Sequence, residues 1–439
     1  MCLEKPWHKH RAQKGDYKKP GFHIAAASRQ AFRKLYQTAR KTAQHTALGK
    51  RYFRYRQDTT YNVLFPSYYH AHQSEPVDDR KVLFLEVAQP ALTNNLQLIY
   101  NHLKQDGTFT IHTHFLRTNF VSMRQWRKNC AAFLSDLSTA KYLFLTEGSQ
   151  VLSCVDLRKE TVVVQTWHGC GAFKRFGFST ADRRFGQDRE TQLRHPLNRN
   201  YTYVTVSSPE VVWAYVEAMQ LQGHEDIVRP IGVSRTDVFF DQAKINAAYE
   251  NVYRKFPAAR GKKIILYAPT FRGTTANAKA PDRLDVRAMY QAFNQDYVLI
   301  IKHHQLVRAL PELPAELIGS FVYDASRSLP IDELLMTADL CISDYSSLIF
   351  EYSLFERPMF FFSYDLEDYF DDRGFYYSYD EMTPGPVCRT NEELIHSILH
   401  SPEQFNQQQI HNFRKKFMSA CDGHSTERIE QLVFGRSLH

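Results

Sequence analysis

At 439 residues the chain is longer than one hydrophobic core usually serves, so two domains are expected. Its composition is that of a globular protein rich in aromatics (31 Phe, 25 Tyr); no run approaches 18 apolar residues and no apolar leader opens it, so neither a transmembrane helix nor a secretory signal is expected. The net charge of +8 is uneven: residues 1–56 carry 15 Lys or Arg against two acids, leaving −5 for the remainder.

A basic arm on a mildly acidic body needs an anionic partner. No nucleic-acid-binding motif accompanies the charge, so an anionic membrane surface is the expected partner and nucleic acid is not. Within the arm, set at 1–60, Phe32, Leu35, Tyr36, Ala39, Ala43 and Ala47 recur at helical spacing. Arg29, Arg33, Lys34, Arg40 and Lys41 fill the rest of the circumference. This is a basic amphipathic helix, suited to lying on lipid or to docking on its own domain.

From about residue 80, apolar runs alternate with helical stretches. Strands are expected at 82–87, 109–112, 142–145, 161–165 and 203–206, then, after the Pro230-Ile231-Gly232 break, at 263–267, 298–301, 321–323, 340–343 and 359–362. Such alternation builds parallel sheets covered by helices. The expected organisation is an α/β chain of two Rossmann-like domains, 61–230 and 231–401, facing a central cleft, with a helical tail at 402–439. The seven cysteines form no CxxC pair and the 19 histidines no HExxH-like spacing, so reduced thiols and no metal site are expected.

Four strand ends carry groups that suit an anionic ligand. After 161–165 comes Trp167-His168-Gly169-Cys170-Gly171, then Lys174 and Arg175. The glycines let backbone approach a ligand, the cations supply charge, and His168 can move a proton near neutral pH. After 263–267 come Thr270 and Arg272, a hydroxyl and a fork-shaped donor for phosphate oxygens. After 298–301 come Lys302, His303 and His304; alternation along an extended segment puts one of the two histidines in the cleft. After 340–343 comes Asp344-Tyr345-Ser346-Ser347, opening a short helix that contains Glu351, where helix amides and hydroxyls favour phosphate. Each motif alone has a plain structural reading: helix caps, a core Trp-His pair, a structural turn. Four together read as a cleft for a nucleoside-diphosphate compound.

The segments WHGCGAFKRFG, YAPTFRG, the strand ending in KHH, and DYSSLIFEY with the later RP and YDLEDYFDDRGFYY resemble the CDP-glycerol glycerophosphotransferases of teichoic-acid synthesis. Residues 231–237 resemble the family's GxPRxD segment with Ser234 in place of Pro and retain Arg235 and Asp237; residues 422–428 resemble its DGxAxxR-like close. Gln305 stands where Pro usually follows the functional histidine, which aligns with His304.

The resemblance implies a GT-B architecture with the donor held mainly by the C-terminal domain, and peripheral attachment to the inner face of a bacterial membrane. It implies a CDP-polyol donor, glycerol before ribitol, and a lipid-linked teichoic-acid or capsule-polymer acceptor. His168 is then the expected base and His304 the group at the leaving phosphate. Thr270, Arg272, Lys302, Asp344, Ser346, Ser347, Glu351 and Arg373 are expected around the donor, with Lys174, Arg175 and Arg235 as further anion-binding groups. No cofactor is expected, and Mg is not expected to be essential. The GAFKRFG form is more similar to polymerase members than is the WHGTPLKKxG form of others. Two rivals remain: a GT-B glycosyltransferase using a nucleotide sugar, and a non-catalytic binding protein on the same scaffold.

Overall fold

A computed structural model describes residues 46–118, 121–183, 186, 188–274 and 277–438. The amphipathic helix expected across residues 29–47 lies almost wholly outside them. Ala47–Thr59 forms a helix with no buried residue, capped by Thr46, whose hydroxyl accepts from the Gly49 N–H at 3.0 Å. It carries Lys50, Arg51, Arg54 and Arg56, and leaves Leu48, Tyr52 and Tyr55 exposed. The chain divides at Val63, and Leu64–His439 forms the unit that holds both sheets.

The first sheet comprises β1 (Asp78–Glu86), β2 (Thr110–Phe115), β3 (Ala140–Leu145), β4 (Val162–Gln165), β5 (Tyr203–Thr205) and β6 (Val228–Arg229), in the order β2-β1-β3-β4-β5-β6. The second comprises β7 (Lys263–Tyr267), β8 (Tyr297–Ile301), β9 (Val322–Asp324), β10 (Leu340–Ser343), β11 (Met359–Phe362) and β12 (Val387–Cys388), in the order β12-β11-β10-β7-β8-β9. Every ladder between them is parallel. The reason lies in the residues: Val-Val-Val-Gln, Leu-Cys-Ile-Ser and Met-Phe-Phe-Phe are continuous runs without alternation, stable only where both faces of a strand are covered. Two helix-covered parallel sheets make the α/β, GT-B-like architecture expected above.

In the second sheet β7 and β8 run outward to β9, after which the chain returns to place β10 on the other side of β7. That reversal opens a crevice at the carboxyl ends of β7 and β10, the place where open α/β sheets bind ligands.

The C-terminal residues stitch the halves together. Helix Gln407–Phe417 lays Phe413 and Phe417 against Phe350 of the second half, with ring centroids 5.5 and 5.6 Å apart. Helix Ser425–Phe434 then returns to the first sheet, where Ile429 and Leu438 join the core of Val82, Phe84, Phe144 and Val164. Asp237 caps that helix from afar: its carboxylate accepts from the N–H groups of Ser425 and Thr426, at 3.0 and 2.7 Å, and from the Thr426 hydroxyl at 2.7 Å. Ser234, where the family pattern has Pro, meets Thr426 hydroxyl to hydroxyl at 2.9 Å. The two family-like segments at 231–237 and 422–428 are thus one joint.

Candidate active site

A cavity of about 620 Å³ lies between the two sheets, at the crevice beside β7 and β10. Its wall is built from loops at strand ends: His168 and Lys174 after β4, Ala268–Phe271 after β7, Lys302–Gln305 after β8, and Ser346–Leu348 after β10. Of the thirteen residues singled out from the sequence, nine line it: His168, Lys174, Arg235, Thr270, Lys302, His304, Ser346, Ser347 and Glu351.

His168 is presented by a strained turn. Trp167, just before it, has a φ of 56°, a left-handed conformation that costs a bulky residue about 1–2 kcal/mol. The Trp167 N–H donates to Gln165 Oε1 at 3.0 Å, and its ring packs against His168, Phe176 and Tyr215 with centroids 4.4, 4.9 and 6.1 Å away. These contacts over-determine the turn. The Nδ1 of His168 lies 3.1 Å from the backbone carbonyl of Thr146. A carbonyl only accepts, so Nδ1 carries the proton and Nε2 holds a lone pair. Beside it, burial pushes the Glu147 carboxyl up, with His168 pulling the other way.

His304 has the opposite polarity. The Leu306 N–H donates to its Nδ1 at 3.2 Å, so the neutral ring carries its proton on Nε2. His303 also lines the cavity, contrary to the alternation expected of an extended segment. β8 ends at Ile301, and the next residues turn away from strand geometry, so period-two alternation no longer applies. His303 is buried; that burial pulls its pKa down, opposed by Asp324.

Several expected donor-binding groups turn out to be engaged in building the wall. The Lys302 ammonium donates to the carbonyls of Ala325, Ser326 and Leu329 and so gathers the loop after β9; burial pulls its pKa down. Arg272 is not part of the cavity wall. Its guanidinium donates to Asp344 at 2.9 Å and forks onto Asp365 at 2.5 and 2.9 Å, flanked by the rings of Tyr345, Tyr364 and Tyr369. Asp344 is buried and accepts from Thr270 N–H, Tyr345 N–H and Arg272, which fixes the turn after β10 to the turn after β7. Asp344 and Arg272 therefore brace the site from behind, because two carboxylates out-compete a distant anion for one guanidinium.

Ser346 and Ser347 face the cavity. Ser347 precedes helix Leu348–Ser353 and makes no side-chain capping bond, so the plain capping role is unfilled. Arg235 is half-buried and bridges two buried carboxylates, Glu351 at 3.1 Å and Asp332 at 3.3 Å. Burial opposes its charge, but Asp332 and Glu351 overcome that and hold it protonated. Arg175 does not reach the cavity; it pairs with Glu217 at 2.7 Å and stacks on Tyr376. Arg373 ends helix Leu366–Arg373, and its side chain lies outside the described residues. Backbone bonds Arg175 N–H to Gly374 O (3.1 Å) and Tyr376 N–H to Phe173 O (3.0 Å) lace the loop after β4 to the second half.

The sequence pattern admitted only one of His303 and His304 to the wall, and it did not place Phe271, Gln305, Ser326, Pro330 and Ile331 there. Phe271 and His303 adjoin expected residues and were findable as neighbours at the same strand ends; Ser326, Pro330 and Ile331 follow β9, which carried no motif.

Residues 67–435 match the family CDP-Glycerol:Poly(glycerophosphate) glycerophosphotransferase. The chain belongs to that family. Among the relatives of this transferase, the teichoic acid ribitol-phosphate primase of Bacillus spizizenii is 33% identical over 362 residues, 82% of this chain and 92% of the primase. The teichoic acid poly(ribitol-phosphate) polymerase of the same organism is 35% identical over 378 residues, 84% of this chain; the match spans 59% of the polymerase. The teichoic acid glycerol-phosphate primase of Bacillus subtilis is 30% identical over 296 residues, 67% of this chain and 72% of the primase. The solved wall teichoic acid polymerase TagF superposes with a TM-score of 0.70 over 88% of this chain and 97% of its own, at 21% identity, which establishes the common fold.

Four polar atoms of the transferase's cavity residues are buried without a protein hydrogen-bond partner among the described residues: Arg235 Nε, Thr270 Oγ1, His303 Nδ1 and Glu351 Oε2. Each such group costs about 1–3 kcal/mol unless a ligand or water satisfies it. A wall with these groups suits a polar, hydrogen-bonding ligand.

Proposed function

We propose that the chain transfers a polyol phosphate from a CDP-polyol to a hydroxyl of a lipid-linked teichoic-acid or teichoic-acid-like acceptor, releasing CMP. The observation that carries this reading is the convergence of His168 and His304, in opposite tautomers, on one cavity that also holds Ser346, Ser347, Thr270 and Lys174.

The donor's diphosphate lies against the hydroxyls of Ser346, Ser347 and Thr270. His168 Nε2 takes the proton of the acceptor hydroxyl, whose oxygen attacks the phosphorus bearing the polyol. The bond from that phosphorus to the bridging oxygen breaks, and the oxygen leaves on CMP. The His304 Nε2–H donates to that phosphate as charge develops. Rate enhancement then comes from positioning and electrostatics, as in phosphoryl transfer generally.

For the donor we favour CDP-ribitol over the CDP-glycerol expected from the sequence. The support is the identity to ribitol-phosphate enzymes, 33 and 35%, against 30% over a shorter stretch for the glycerol-phosphate primase. Among the described residues no helix is long and apolar enough to cross a membrane. We infer that the acceptor is met at a membrane surface through the N-terminal segment, and the support for this is the surplus of Lys and Arg in residues 1–56.

The test is nucleotide release from CDP-ribitol, CDP-glycerol and UDP-sugars in parallel, with a lipid-linked glycerophosphate acceptor. Acceptor-dependent CMP from CDP-ribitol is expected. CMP from CDP-glycerol alone would overturn the choice of polyol, and UDP release with both CDP-polyols inert would overturn the reaction.

A further inference from the structure

Away from the cavity, His112 and His114 lie two residues apart on β2, at the edge of the first sheet, and their side chains share one face. Helix Met123–Leu137 carries Asp136 in its last turn to meet them. His112 Nδ1 and His114 Nε2 each lie 3.0 Å from the same oxygen, Asp136 Oδ2. The three ligand-type atoms all fall within 4.8 Å of one another.

We propose that His112, His114 and Asp136 form a site for a divalent transition-metal ion of the zinc class. Two imidazole nitrogens aimed at one carboxylate oxygen either both carry protons and donate to it or present their lone pairs, with the oxygen's, to a common cation. A metal would take a lone pair from each ring and from the oxygen. Zinc bound at about 2.0–2.2 Å to N and O ligands in a tetrahedron sets those ligands roughly 3.3 Å apart, close to the two N···O separations of 3.0 Å here. The flanking groups are also in order. Lys81 holds the other carboxylate oxygen, Oδ1, at 2.8 Å and itself donates to Thr139, which turns Oδ2 toward the histidines. Phe133 packs edge-on to the His114 ring, with centroids 5.5 Å apart. Such second contacts orient metal ligands. The site is open on one side, since the His112 side chain is 41% exposed, which leaves room for a fourth, water ligand.

The Lys81 ammonium on the same carboxylate opposes a cation there, so binding weaker than at a site without it is expected. Bound metal pins the helix to the edge strand, which raises the temperature of unfolding without touching the cavity, none of whose wall residues belongs to this cluster. The pair His-x-His is visible in the sequence, but its third ligand comes 22 residues later.

The experiment uses the full chain, stripped with a chelator and titrated with Zn²⁺ by calorimetry, beside His112→Ala and Asp136→Asn. One equivalent with micromolar affinity, a loss of at least tenfold in both variants, and a Zn²⁺-dependent rise in Tm confined to the wild type are expected. A tetrahedral Co²⁺ absorption band present in the wild type and absent from His112→Ala separates this site from the other histidines. Equal affinity in wild type and variants, or no wild-type binding tighter than about 100 µM, would overturn the proposal.

Discussion

His168 and His304 line one cavity with their protons on opposite nitrogens: His168 Nδ1 faces the Thr146 carbonyl at 3.1 Å, and His304 Nδ1 accepts from the Leu306 N–H at 3.2 Å. One ring is thereby set to accept a proton through Nε2 and the other to donate through Nε2. A backbone carbonyl in one case and a backbone N–H in the other impose the difference, so side-chain exchange elsewhere would not scramble it.

From this follows the behaviour of His168→Ala. Losing a general base costs about 10²–10⁴ in turnover. CMP release should fall by that factor, while donor affinity changes less than about threefold if the diphosphate lies against Ser346, Ser347 and Thr270 as proposed. Steady-state kinetics beside direct titration of the CDP-polyol decide it, and turnover within tenfold of wild type would remove His168 from the base role.

His304→Ala and His304→Gln should differ from each other. Glutamine keeps an N–H donor but cannot titrate, so it should retain more turnover than alanine if the group acts as a donor to the leaving phosphate. Equal losses would mean that protonation, and not hydrogen bonding, is what matters. Single-turnover CMP release reads the two variants directly.

How far the sequence revealed this arrangement depended on burial. β7, β10 and β11 fall where their apolar runs predicted, because each run is covered on both faces and stopped by a polar turn. β6 and β12 were missed: each has two residues at a sheet edge, too short to show any pattern. The strand ends bearing His168, His304, Ser346 and Ser347 were legible for the same reason as their strands. The partners of Arg272 and Lys302 were not. A cation at a strand end announces charge, but Asp365 and the carbonyls of residues 325, 326 and 329 reach it only through the fold.

The glycines of the loop after β4 should separate cleanly. A Cβ on Gly171 would lie 2.2–2.3 Å from the Phe350 ring, and its φ is +63°, so Gly171→Ala meets both a clash and about 1 kcal/mol of backbone cost. Phe350 is itself buried and packed against Phe413 and Phe417, so it has little room to withdraw. A Cβ on Gly169 meets nothing within 4 Å. Thermal unfolding should show Gly171→Ala destabilised by about 2 kcal/mol or more, and Gly169→Ala within about 0.5 kcal/mol of wild type. Similar values for both would mean the loop is not held against Phe350.

Arg235 forms a charge cluster with the buried carboxylates of Glu351 and Asp332 beside the cavity, and Asn94 ties Asp332 to the first half at 2.7 Å. Removing one partner of such a cluster strands the others. Arg235→Met should cost about 3–5 kcal/mol. Glu351→Gln should cost less, because Arg235 keeps Asp332. The double variant should fall short of the sum of the singles, since the stranded Glu351 carboxylate is then gone. Denaturant unfolding of the four proteins reads the cycle, and strict additivity would show that the pair does not interact.

His303 gives the acid limb of stability a specific source. Its ring is buried, its Nδ1 finds no protein partner among the described residues, and burial pulls its pKa below the ordinary value. In the unfolded chain it takes up a proton near pH 6.5, whereas in the folded chain it resists doing so until lower pH. The unfolded state then binds more protons between those two values, and stability is lost as pH falls through that window, at up to about 1.4 kcal/mol per pH unit for one group. His303→Gln removes the titration. Its stability relative to wild type should therefore improve as pH falls from 7.5 to 5.5, while above pH 7 the two proteins keep a constant difference. Parallel unfolding curves for wild type and variant at every pH would show that His303 charges as readily in the folded chain as in the unfolded one.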